Sequence, residues 1–281
     1  MSITGIDLST GTDALGVLAF RGPDAARFLQ GQLSADIEKL TEGSSTLAGL
    51  HNPQGRVIAL LALTRNSPEE LLAVMPAALI PSVAGRLAKY VLRAKVSIMQ
   101  DLTCGLIGTT AEVSVALGAK PAIAWGGRRV LVVGMKAATD GAITRESWER
   151  LDIEAGIPQI YASTSESFVA QMLNLDLLGA IAFDKGCYTG QEVIARAHYR
   201  GRVKRRLQRW FHSGNGLVPG AAARSTDGRS LIVVRVAPGA NGGQEILAVG
   251  PFVNDPSAPA DVEPGATPIV EPRPLPYALP G

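Results

Sequence analysis

The chain has 281 residues, 46% of them hydrophobic and 19% charged, which is ordinary for a soluble globular protein and long enough for about two domains. Lysine and arginine exceed the acids by only two, so bulk charge does not make the protein a polycation. Two cysteines form no disulfide framework, the N-terminus has no signal-peptide pattern, and no apolar run approaches the roughly 20 residues of a membrane span; a soluble cytoplasmic protein is expected.

In chain order, residues 14–20 (ALGVLAF) read as a strand. Gly22-Pro23-Asp24 then opens a helix, because proline is tolerated in a first turn that does not need its N–H. Phe28, Leu29, Leu33, Ile37 and Leu40 carry an apolar stripe onward. From Thr46 the pattern changes. Residues 47–51 and 57–64 read as strands joined by Asn52-Pro53-Gln54-Gly55, a residue order that a type I turn prefers. Residues 71–75 give a third strand. Leu79, Ile80, Val83, Leu87 and Val91 recur at helical spacing over 77–93, and Val96, Ile98 and 130–133 return to strand character. Hairpins with intervening helices predict an α+β fold rather than a doubly wound sheet. Cys104 lies among apolar residues and reads as a core thiol. Trp125-Gly126-Gly127-Arg128 reads as a turn whose indole is able to line a ligand pocket.

Residues 147–156 (SWERLDIEAG) read as a helix capped by Ser147 and stopped by Gly156 and Pro158. Taken alone, Glu154 is an acid at a helix end facing water. An apolar run over 173–183 leads into 184–209, DKGCYTGQEVIARAHYRGRVKRRLQR. Lys185-Gly186-Cys187 makes a tight turn, Gly190 closes it, and 191–198 reads as a helix. Two readings of Cys187 stand together. One is a small buried residue. The other is a thiolate favoured by a helix N-terminus and by Lys185.

Beyond that helix, Arg196, Arg200, Arg202, Lys204, Arg205, Arg206 and Arg209 form a strip with no acid in it. It is either a solvated face or a surface for an anionic partner. Tyr199, Trp210 and Phe211 beside it would let an RNA-binding module stack bases on 196–209. His51, His198 and His212 lie far apart and make no ligand spacing with either cysteine, so no metal site is predicted. After Gln208 the chain holds more than half of its 18 prolines, and short apolar runs at 231–236 and 246–249 predict a small β-rich domain. The tail EPRPLPYALPG packs as an extended segment or stays partly unstructured.

The eight residues KGCYTGQE at 185–192, followed by R-x-x-Y-R-G-R-V-K-R-R-L, resemble the signature of the YgfZ-type folate-binding proteins. These are relatives of the aminomethyltransferase, or T-protein, of the glycine cleavage system. GPDAARFLQGQLSADI near the N-terminus and R-L-x-x-E-A-G at 150–156 are similar to segments of the wider family. The resemblance implies an aminomethyltransferase-like three-domain architecture with ferredoxin-like units and a small C-terminal β-barrel. Its boundaries would be a discontinuous folate-binding domain of 1–45 plus 142–200, a ferredoxin-like domain of 46–141, and a barrel domain of 201–281.

It also implies tetrahydrofolate or another reduced folate as cofactor, with iron–sulfur proteins as clients, tRNA-modifying enzymes among them. Cys187 would be the reactive thiol and Lys185 would tune it. Glu154 would contact the pterin, whose adjacent N–H donors suit a carboxylate, and Tyr188, Gln191, Arg200 and Arg206 would complete the folate site. In the transferases the strand after the Asn52 turn carries paired aspartates. The matching positions here are Ala59 and Leu60, which argues against aminomethyl transfer and for a protein without classical turnover. The alternatives kept open are a folate-dependent one-carbon transferase and the RNA-binding module.

Overall fold

The computed structural model describes residues 3–116, 118, 121–136, 138–201, 203–252, 267–269 and 271–280. Its first half is built from two antiparallel sheets. β1 (Ile6–Asp7) and β2 (Leu15–Arg21) are followed by α1 (Ala25–Gln30), then by β3 (Ser45–His51), β4 (Val57–Ser67) and β5 (Glu70–Pro76). A turn of 3-10 helix leads into α2 (Ile80–Ala88), β6 (Ser97–Gln100), β7 (Leu106–Thr110) and α3 (Ala111–Ala116). β8 (Ala122–Ala124) and β9 (Arg129–Val133) complete this half. One sheet has the order β3-β4-β5-β2-β6, the other β1-β7-β9-β8.

The five-stranded sheet is a middle layer, and its period of two shows why. Val17, Ala19, Leu72 and Val74 face Leu106, Leu131 and Val133 of the second sheet. Leu18, Phe20, Leu71 and Met75, one residue out of phase, face the other core with Phe28, Val83 and Phe168. β4 is buried from Val57 to Thr64, as expected for a strand covered on both faces. β2 lies between β5 and β6, and β1 pairs with β7. Strand hydrogen bonding therefore crosses the boundary expected at residue 45.

α4 (Arg145–Glu154) and α5 (Gln191–Tyr199) flank a long connection with one turn of 3-10 helix at Ala170–Leu173. The third sheet is drawn only from β10 (Arg205–His212), β11 (Ala222–Ser225), β12 (Ser230–Pro238), β13 (Gln244–Pro251), β14 (Thr267–Ile269) and β15 (Glu271–Arg273). Its order is β14-β11-β12-β13-β10-β15, a half-barrel around Trp210, Leu231, Val233 and Ile246. Leu207, Leu247 and Val249 join the main core instead.

Three expectations change. The stripe from Phe28 to Leu40 is helical only to Gln30; Leu33, Ile37 and Leu40 are buried from turns, where burial needs no helical period. The helix expected over 77–93 ends at Ala88. α4 begins at Arg145, capped by Thr144, and Ser147 is the N3 partner of a capping box rather than the cap. The expected turn at Asn52 is present: Gly55 N–H donates to Asn52 O at 2.9 Å, and Gly55 has a φ of +71°. The tail is docked as an extended segment, with β15 on β10 and Leu275 against the main core.

Candidate functional site

The 184–199 segment is held by its backbone neighbours. Gly190, with a φ of +83°, sits against Asn52 and Gly55 of the β3–β4 turn, where a side chain has no room. Gln191 Oε1 accepts from the Tyr188 N–H at 3.3 Å, and Gln171 Nε2 donates to Ile194 O at 2.7 Å. Tyr188 is buried, and burial pushes its phenol up to about 12. Cys187 is exposed, which removes the reading of a buried structural cysteine. It stands before Gly190, the N-cap of α5, and so precedes the helix rather than lying in its first turn.

Lys185 faces inward. Its ammonium donates to Leu33 O and Ala35 O, each at 2.7 Å, and lies 5.2 Å from the Tyr188 ring centre. Burial brings it down to about 8. This lysine straps the turn to the segment after α1. Cys104, by contrast, is half-buried, and burial with the nearby Asp101 carboxylate raises its thiol. Beneath the turn, His51 is 1% exposed, and neither ring nitrogen has a well-aligned partner among the described residues. Burial pushes its imidazolium down to about 4, so it is neutral.

Glu154 ends α4, partly exposed, and accepts from Arg209 Nη2 at 3.4 Å. Arg209 also binds Glu245 at 3.2 Å. The next residue, Ala155, lines a cleft of about 350 Å³ between the β3–β4 edge of the middle sheet and β8. Leu47, Ile123, Trp125, Ile157 and Leu178 supply its apolar walls, and Ser45 and Thr46 add hydroxyls. Gly126 forms part of this wall with a φ of +52°; a Cβ there would come within 2.7 Å of Ile157.

The basic strip is not one surface. Arg206 is 4% exposed and clamps Asp176 with two bonds of 2.8 and 2.9 Å, so it holds the fold instead of facing an incoming carboxylate. Arg209 points to Glu154 and Glu245, and Arg205 donates to Ser230 O. Strand alternation explains the split, because successive residues of β10 face opposite sides. Arg200 and Lys204 are exposed, as is Arg196, which pairs with Glu192 at 3.0 Å. Arg202 lies outside the described residues.

Sequence reasoning missed Asp152. Its carboxylate is 1% exposed and accepts from Trp125 Nε1 at 2.7 Å, from Arg129 and from Arg235. The signal was present: Asp152 stands four residues after buried Trp148, on the face of α4 that should be apolar. Among the described residues no group of three or more His, Cys, Asp and Glu is placed to hold a metal, and no helix is long and apolar enough to cross a membrane.

No family model matches the chain. It is 31% identical to the tRNA-modifying protein YgfZ of Serratia proteamaculans, in an alignment covering 94% of this chain and 90% of that protein. The YgfZ of Edwardsiella ictaluri is 34% identical, over 72% and 70% of the two chains, and an uncharacterised Haemophilus influenzae protein is 34% identical over 68% and 69%. The crystal structure of the glycine cleavage system aminomethyltransferase T from Bartonella henselae superposes with a TM-score of 0.66 at 15% identity, over 89% of this chain and 78% of that one. The fold is thus aminomethyltransferase-like, and the extent of the sequence match shows that this chain belongs to the YgfZ family.

Proposed function

We propose that this protein binds a reduced folate, tetrahydrofolate or a close derivative, and supports the assembly or repair of iron–sulfur enzymes, tRNA-modifying enzymes among them, in a reducing cytoplasm. The observation that carries the reading is the cleft of about 350 Å³ lined by Ala155, the residue after Glu154, within an aminomethyltransferase-like fold. Its size suits a ligand pocket, and Glu154, which precedes the lining residue Ala155 and pairs with Arg209, carries a carboxylate of the kind that accepts the paired N–H donors of a pterin. Arg200, exposed at the end of α5, is available to a folate carboxylate, and Tyr188 with Gln191 shapes the thiol turn.

Cys187 is the reactive group of this reading, and Lys185 acts on it by holding the turn. Ala59 and Leu60 are both buried and carry no ionisable group on the strand nearest the Asn52 turn. The protein is accordingly read as a binding and maturation factor without aminomethyl transfer. Calorimetric titration with tetrahydrofolate tests the ligand. Saturable binding is expected, and Glu154→Ala is expected to weaken it by about 1–3 kcal/mol while the melting temperature holds. Absence of binding by folded wild-type protein would sink the folate reading. Limited alkylation at neutral pH tests the thiol: Cys187 is expected to label well before Cys104, and equal rates would remove it from the site.

A further inference from the structure

The five-stranded sheet has two edges, and they differ. β3 is closed: Leu33 bridges to Leu50, the Ser34 N–H donates to Gly49 O at 3.0 Å, and Ser34 Oγ accepts from the Gly49 N–H at 2.9 Å. β6 pairs only with β2 among the described residues. The Asp101 N–H donates to Val17 O at 2.9 Å, which makes these two a hydrogen-bonded pair of the antiparallel ladder. Such pairs recur every second residue, so Ser97 and Met99 turn their N–H and C=O groups toward β2. Ile98 and Gln100 turn theirs outward, where none has a partner among the described residues.

Proteins blunt an edge of this kind with charge, proline or a bulge on the strand itself. β6 reads SIMQ in regular register and carries none of these. Its surroundings are apolar instead. Met99 shares a face with Ala19 and Leu72, which the second sheet buries, yet Met99 is 52% exposed; the second sheet stops short of β6. Tyr90 and Leu92 before the strand and Leu102 after it are exposed as well. The edge is also fixed at both ends. The Lys95 N–H donates to Asp24 Oδ2 at 2.7 Å, and Asp101 accepts from Arg21 and from the Thr103 N–H, each at 3.0 Å. An edge held in this way loses little freedom when another strand is added.

Charge says what that strand carries. Lys89, Arg93 and Lys95 are exposed and make no ion pair among the described residues, while the single acid of 89–102, Asp101, is engaged by Arg21. A second copy of this chain would bring three more cations and no free acid to meet them. A lipid surface or a nucleic acid offers no peptide backbone to pair with Ile98 and Gln100. We propose that β6 is a docking edge, on which an acidic, apolar segment of another protein adds as a sixth strand. Apolar side chains of the added strand continue the row that ends at Met99, and its acidic end lies against Lys89, Arg93 and Lys95. For an antiparallel segment that is its C-terminal end. The inference does not depend on what the cleft near Glu154 binds.

The test uses full-length protein and two short peptides of alternating valine and threonine, one ending in glutamates and the other in lysines. Nitrogen–proton correlation spectra report the backbone amides. The glutamate peptide is expected to move the Ile98 and Gln100 signals and to saturate, and the lysine peptide to bind at least about tenfold more weakly. Gln100→Pro removes an outward N–H and no bond to β2, so it is expected to abolish the effect while the melting temperature stays near that of the wild type. Lys89→Glu with Arg93→Glu is expected to reverse the order of the two peptides.

Should Gln100→Pro fail to fold, that double variant and the wild-type spectra still decide. Unmoved Ile98 and Gln100 signals with the glutamate peptide, or equal affinity for both peptides, would overturn the inference. Movement of these signals by phosphatidylglycerol vesicles but not by the peptide would assign the edge to lipid and overturn it too. Movement with protein concentration alone would assign it to a second copy, with the same consequence. Tetrahydrofolate is absent from every arm, so the folate reading stands or falls apart from these results.

Discussion

The Asp152 junction and the outer face of α5 use the same chemistry to opposite ends. At the junction one carboxylate takes donors from two arginines and an indole, all of them nearly closed to solvent. On α5, Arg196 and Glu192 also form an ion pair, but with side chains 71% and 86% exposed. Water screens the second pair and is excluded from the first. In this fold, then, buried charge joins elements, while the charge on the outer face of α5 stays with solvent.

Removing the junction's anion should show the contrast most strongly. Asp152→Ala leaves two buried guanidinium groups uncompensated and should destabilise the protein by about 3–5 kcal/mol in denaturant unfolding. His51 extends the comparison to pH. Its folded pKa of about 4 lies below the ordinary 6.5, so the unfolded state binds the proton first. Stability should therefore fall as pH drops from about 6.5 to about 4, by about 3 kcal/mol from this group. His51→Leu should flatten that part of the stability–pH curve, and an unchanged slope would show that the imidazole is not desolvated.

Gly156→Ala probes packing without charge. With a φ of +68° and Tyr277 Oη within 2.6 Å of a Cβ, it should lose roughly 1–3 kcal/mol, read from the shift in unfolding midpoint. At the weak end, Arg196→Ala should change stability by at most about 0.5 kcal/mol, and a larger loss would mean that α5 is covered by something that excludes water.

Much of this fold is legible where a strand or helix obeys one period. β2, β4, β12 and α5 all lie where alternation or helical spacing put them. Leu33, Ile37 and Leu40 misled because turns bury side chains without any period. The thiol turn was legible too, since Gly186 and Gly190 bracket Cys187 and Cys187 is exposed. What each charge does was not. Lys185 binds carbonyls, Arg206 closes on Asp176, and Asp152 gathers partners distant in sequence, all of which depend on tertiary direction. A run of arginines records composition, and strand geometry decides which of them meet solvent.

Tyr277 links the C-terminal segment to the candidate site: its hydroxyl donates to Gly156 O at 3.0 Å and accepts from Asn174 Nδ2 at 3.3 Å. Tyr277 is synthesised 121 residues after Gly156. The Glu154-Ala155-Gly156 segment therefore emerges from the ribosome long before the residue that pins it has been made. A domain that folds as it is synthesised would leave this stretch provisional until that late contact forms. The final packing of this stretch is in this way deferred, by the order of translation, until Tyr277 has been made.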